Sequence, residues 1–210
     1  MPALILVLLG ALSVAGTEPS PGLVRLLEQT PAESLLAPLR RYEHQQLRGT
    51  TAAEAAFVLG QLHLVRGEYR LAADAFSRAA AGFEPARKEE ALYWAGIAWL
   101  GVPDPHRARG PLEVVERGGG RRRAHAAFGI AAAWMLEDRP ESAFRMLSRL
   151  VARRSSEMTP AALERLAAVA RQLHAPEVAR LANERLRREY PRSFEARGIG
   201  PEPVAPAPTP

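Results

Sequence analysis

The chain contains no cysteine, which excludes disulfides, zinc–thiolate sites, a thiol nucleophile and a lipid-bearing cysteine together. Aromatic residues make up only 6% of it, and β-branched residues are sparse beside alanine, leucine and arginine, all strong helix formers. An all-α class follows before any motif is considered. Lysine is nearly missing too: Lys88 is the only one, so the cations are arginines. They do not make the chain strongly basic, because 28 basic residues face 23 acidic ones for a net charge of +5. Arg185, Arg187 and Arg188 are interleaved with Glu184 and Glu189, a mixed solvated surface rather than a nucleic-acid footprint. No nucleic-acid partner is expected.

Catalytic patterns are missing as well. None of His44, His63, His106, His125 and His174 belongs to an HExxH arrangement or stands four residues from another histidine. There is no GxSxG, no SxxK, and no pair of acids isolated in an apolar stretch to serve as general acid and base. Gly118 to Gly120 precede Arg121 to Arg123, but no GxxxxGK[ST] pattern and no strand accompany them, so the segment reads as a flexible turn. Glu89 and Glu90 read as carboxylates at a helix start, where the macrodipole favours them. No residues support an enzyme, and no cofactor or metal is expected.

What is present begins with an uncharged apolar run from Pro2 to Gly16, short for a bilayer span of ~20 residues but of signal-peptide size. Ser13 and Ala15 suit cleavage after Ala15, although no positive segment precedes the run; an uncleaved anchor stays open beside export. Residues 1–15 are thus read as a signal peptide and 16–51 as a linker with capping helices. A short helix is expected over Leu23 to Glu28. A second is expected from Pro31 to about Leu47, opened by a Thr30 to Glu33 capping box and bent at Pro38.

Residues 52–193 carry an internal repeat. Equivalent starts fall at Ala53, Glu89, Ala124 and Pro160, at steps of 36, 35 and 36. Each unit has a small residue (Gly60, Gly96, Ala131, Ala167), twelve positions later an alanine (Ala72, Ala108, Ala143, Ala179), and in the first three a large apolar residue four further on (Phe76, Leu112, Leu147). Two helices per unit are expected, with Asp104 and Pro105 opening one of them and Gly110-Pro111 marking a kink or a late start inside it. Asn183 replaces the large residue in the fourth unit, suiting a terminal cap. Residues 194–210 end in a proline-rich stretch and read as a disordered tail, a spacer or a docking peptide.

The first unit, with Leu59-Gly60, Gly67-Glu68-Tyr69, Ala72, Phe76 and Ala79, resembles a tetratricopeptide repeat. The resemblance implies a helix–turn–helix repeat solenoid of about four units behind an N-terminal helical cap. It also implies that one face of each first helix lines a concave groove. The residues at that register are Phe57, Gln61 and Leu64, then Tyr93, Ile97 and Leu100, then Phe128 and Met135. Lateral packing of these side chains stays open as an equal reading. The family's clamp for carboxylate-ended ligands is not matched, since Phe57, Gln61, Trp94, His125 and Gly129 stand where its basic and amide residues would be sought. An apolar or amphipathic segment is the implied ligand.

With an export signal in front, the chain is similar to bacterial envelope scaffolds such as the Tol-Pal-associated periplasmic proteins and the outer-membrane assembly lipoproteins. The expected role is an exported adaptor for a protein or peptide partner, with peripheral envelope association compatible with it. The alternatives are an envelope-surface or glycan-associated tethering module, and, lower, a subunit of an enzyme with a hidden site.

Overall fold

The computed structural model describes residues 18–31, 34–46, 49–102, 104–153 and 157–198, and among them the secondary structure is helical throughout. The helices are α1 (Pro21–Gln29), α2 (Leu36–Gln45), α3 (Thr50–Val65), α4 (Tyr69–Gly82), α5 (Pro85–Leu100), α6 (Pro105–Gly118), α7 (Arg123–Leu136), α8 (Pro140–Ala152), α9 (Thr159–Gln172), α10 (Pro176–Glu189) and α11 (Phe194–Gly198). Proline opens α1, α5, α6, α8 and α10, where its missing N–H costs nothing and its φ is already helical. No helix among the described residues is long and apolar enough to cross a membrane. The run ending at Ala15 and the stretch from Ile199 lie outside the described residues.

The helices form two compact units that divide after Asp138. In the first, α3 packs on α4, α4 on α5, α5 on α6 and α6 on α7, with α1 and α2 laid against α3 as the expected cover. Leu23, Leu27, Leu35 and Leu39 are the buried face of that cover. In the second unit α9 packs between α8 and α10, and α11 closes against α9 and α10. The repeat skeleton supplies both cores. Ala72, Phe76, Ala108 and Leu112 are fully buried in the first unit, as are Ala143 and Leu147 in the second.

Gly96 shows why a small residue recurs. A methyl there would stand 2.5 Å from Leu112 Cγ and 3.2 Å from the carbonyl oxygen of Ala108, so α5 and α6 cross on a glycine. The turns between paired helices share a second device. Gly67, Asp138 and His174 all adopt a left-handed φ, of 73°, 54° and 55°, at the 71- and 36-residue offsets the repeat demands. After Gly67 and after His174 the next amide donates to the carbonyl five residues back (Glu68 to His63, Ala175 to Ala170), which closes the helix end. The equivalent Pro103 lies outside the described residues.

Three expectations need correction. α2 begins at Leu36 rather than Pro31, and Thr30 ends α1 instead of capping α2; Glu33 lies outside the described residues. Pro38 therefore falls in the first turn of α2, where no intrahelical donor is required, and gives no reason for a bend. α6 starts at Pro105, not late at Pro111, and stays helical through Gly110 and Pro111, because Asp104 caps it by accepting from Arg107 N–H at 3.3 Å and burial of Ala108, Leu112 and Val115 holds it to α5 and α7. The last helix, α11, occupies the first residues of the segment read as tail.

Candidate partner-binding face

The first helices of the three leading repeats, α3, α5 and α7, present the same register. Glu54, Phe57, Gln61 and Leu64 follow one another at intervals of three or four along α3; Glu90, Tyr93, Ile97 and Leu100 do so along α5, and His125, Phe128, Ala132 and Met135 along α7. Two ion pairs set these helices side by side with their N-terminal ends together. Arg87 of α5 donates to Glu54 of α3 at 3.0 Å. Arg122, just ahead of α7, grips both oxygens of Glu90 at 2.6 and 2.8 Å.

Of the residues expected to line a groove, Phe57 does not. It is 2% exposed, with its ring edge-on to Phe76 at 5.2 Å and tilted to Phe83 at 6.0 Å. The reason is local: α3 is covered by α4 on one side and by the cap on another, so it is apolar nearly all round. Tyr93 is also inside at 8% exposure, between Trp94 and His125 with the Arg122 guanidinium 4.8 Å above it. Gln61, Leu64, Ile97, Leu100, Phe128 and Met135 are half-buried. Two residues the sequence reading passed over stand further out, Val65 at 74% and Leu136 at 59%. They follow Leu64 and Met135 directly, so the same step of 36 and 35 would have found them.

The N-terminal end of the face is built from matched charges. Glu54 is buried and accepts from Ser20 N–H at 2.9 Å as well as from Arg87, whose guanidinium lies 4.2 Å over the Phe83 ring. Glu90 accepts from Trp94 Nε1 at 2.8 Å beside its pair with Arg122. Glu89 accepts from Arg122 N–H at 3.4 Å and lies against Gly120. Glu89 and Glu90 thus sit past the first turn of α5 and reach across to the entrance of α7, not to their own helix N-terminus. The glycine–arginine segment is a turn held by these two carboxylates. Burial pushes the Tyr93 phenol above its usual pKa of 10.0, against the pull of Arg122 and with the help of Glu90. Glu54 and Glu90 are themselves one repeat step apart, the signal that would have revealed the pairing.

Elsewhere on the first unit several titratable groups are engaged. His63 Nδ1 meets Glu68 at 2.5 Å and His106 Nδ1 meets Glu137 at 3.2 Å, while Arg109 donates to Glu137 and lies 4.0 Å over Trp134. A cleft of about 540 Å³ between the end of α2 and the α3–α4 pair is lined largely by alanine and glycine, and its Glu43 and Arg78 bond each other. Among the described residues no cluster of three potential metal ligands occurs.

No protein-family profile matches the sequence, and no curated protein matches it. Solved structures do. The chain is similar to a putative kinesin light chain of Podosopora anserina with nearly identical TPR-like repeats (TM-score 0.60, 14% identity, covering 74% of this chain and 85% of that one). It is similar to the apo form of RapI (0.62, 12%, 78% and 65%) and to pilF of Pseudomonas aeruginosa (0.51, 18%, 93% and 94%). The chain thus spans slightly less than two thirds of RapI. The fold is that of TPR-like helical repeats.

Proposed function

We propose that this protein is an exported interaction scaffold of the bacterial cell envelope, which binds an apolar or amphipathic helical segment of a protein partner along α3, α5 and α7. The observation that carries the reading is the division of that face. At its N-terminal end the buried charges are matched within the chain, and toward its C-terminal end Leu64, Val65, Ile97, Leu100, Met135 and Leu136 offer apolar side chains. Apolar side chains in this register favour a partner that brings an apolar stripe at helical spacing. Binding rather than catalysis is what such a face can do.

A photo-crosslinking residue at Leu100, compared with one at Leu181 on α10, tests the site in living cells. Crosslinks at Leu100 to a small set of envelope proteins through helical segments support it; equal capture at both positions defeats it. Export is tested by N-terminal sequencing of fractionated protein, with Gly16 expected as the first residue outside the cytoplasm. Intact Met1 on cytoplasmic protein would remove the envelope from the proposal.

A further inference from the structure

Charge is divided unevenly along the chain. Residues 139–210 hold 13 of the 28 basic residues but only 8 of the 23 acidic ones, so the whole net charge of +5 falls in them and residues 1–138 balance. Part of that excess stands unanswered on α8. Arg145 and Arg149 are both exposed there and lie one turn apart, a spacing that sets their Cβ atoms roughly 5 to 6 Å from each other. Arg145 donates to Ser142 Oγ at 3.2 Å, and Arg149 reaches only Met146 Sδ at 3.9 Å, a weak acceptor. Among the described residues neither is paired with a carboxylate, although Glu141 lies one turn ahead of Arg145.

The chain itself shows what an arginine at this register takes. Arg78 on α4, Arg149 on α8 and Arg185 on α10 are separated by 71 and 36 residues, the same steps as Ala72, Ala143 and Ala179; Val114 fills the place in the second repeat. Arg78 lays its fork on Glu43 of α2, with Nε at 2.7 Å and Nη2 at 3.3 Å from the two oxygens. Arg185 donates through Nη1 to the carbonyl of Val151 in the last turn of α8 at 3.0 Å, and through Nε to Glu189 at 2.9 Å. Each thus holds an oxygen on a helix earlier in the chain. Arg149 stands at the same register with no oxygen to hold.

We propose that the Arg145 and Arg149 face of α8 docks a helix of a protein partner that presents two carboxylates one turn apart, with Arg149 making to it the two-pronged pair that Arg78 makes to Glu43. A planar guanidinium matches a carboxylate in this way, and two forks at i and i+4 set the spacing of the acids. Phe144 and Ser148, half-buried beside the arginines, give the docked helix a shallow seat. Anionic lipid fits less well. Recognition of a headgroup surface takes clusters of about four to eight cations, and α8 exposes no large apolar side chain to enter the acyl layer. The surface belongs to the second unit and does not rest on the apolar face of the first.

The probe is a synthetic alanine-based helix with glutamates at i, i+4 spacing along one face, titrated against the full chain at low ionic strength. It has no large apolar side chain, so it does not report on the α3, α5 and α7 face. Arg145→Gln with Arg149→Gln should weaken binding at least tenfold. Arg165→Gln with Arg171→Gln on α9 removes the same charge from exposed positions and should weaken it less than twofold. Arg145→Lys with Arg149→Lys keeps the charge but loses the fork, and should still weaken binding at least threefold. Equal losses from the α8 and α9 pairs, a lysine pair as good as the arginines, or no binding to the unsubstituted chain would each overturn the proposal. Phosphatidylglycerol vesicles form the second arm: retention that depends on Arg145 and Arg149 as steeply as peptide binding does would assign the surface to lipid instead.

Discussion

A single methyl group tests the crossing of α5 and α6. Alanine at Gly96 would gain ~1 kcal/mol of helix propensity, but its Cβ collides with the branch point of Leu112 and with the backbone at Ala108, neither of which swings away. Overpacking of this kind costs about 1 to 3 kcal/mol, so Gly96→Ala should bring no gain and should lower the unfolding free energy in urea by up to ~2 kcal/mol. A gain would contradict the close crossing. Tyr93 supplies a pH test. Because its phenol is held above the usual pKa of 10.0, the stability it contributes is complete below pH ~10, where the unfolded chain also keeps its proton. That contribution is lost as pH rises from there through the folded value. Tyr93→Phe should flatten the alkaline limb of a stability–pH curve, and an unchanged limb would assign the decline to other groups.

The A-helix pairings are the energetic unit above the residue. Glu54 and Arg87 are both nearly without solvent, so removing one leaves the other charged and buried at a cost of about 3 to 5 kcal/mol. Glu54→Leu with Arg87→Met should restore most of that loss, and a double variant no better than Glu54→Ala would show that the pair is not a closed unit. This pairing is visible in the sequence only as a phase relation, Glu54 to Glu90 at one repeat step, because a glutamate near a helix start satisfies the local macrodipole rule without it. Arg122 was hidden among neighbouring arginines that look solvated. Helix identity was far more legible, because prolines at helix starts and the Gly60, Ala72, Phe76 register each act locally. The start of α2 was not, since Pro31 satisfies the same local rule as Pro85 or Pro105 and only packing of Leu35 and Leu39 decides otherwise. At Pro111 a late helix start was the local reading that failed: one lost donor is outweighed by the burial of its neighbours in α6.

Across the first unit, core and face make opposite demands on similar side chains. Phe57→Ala should cost about 3 to 5 kcal/mol and leave little margin for a folded domain. Leu136→Asp, at a position already largely in water, should change stability by less than ~0.5 kcal/mol while reducing partner capture. Paired melts and crosslinking yields separate the two, and a large loss of stability from Leu136→Asp would make the outer row structural. The sequence could not make this division, because Phe57, Tyr93 and Phe128 share a register and differ only in how many neighbours enclose them.

The answered charges also imply that the length of this chain is quantised. Each period opens on an acceptor, Glu54 or Glu90, and closes on its donor, Arg87 or Arg122, which stands at or just ahead of the next first helix. Excising residues 54–89, one 36-residue period, would put Glu90 where Glu54 stood, within reach of Ser20 N–H, still gripped by Arg122, and Tyr93 where Phe57 stood. Such a chain should be helical and melt cooperatively, whereas an excision two residues shorter, 54–87, turns the α5 register by ~160° and strands Glu90. Circular dichroism melts of the two distinguish them, and equal behaviour would mean the blocks carry no phase. Gene segments of this kind can then be gained or lost by whole periods without composing a new interface each time, which gives the architecture a grammar that tolerates rearrangement but not misspelling.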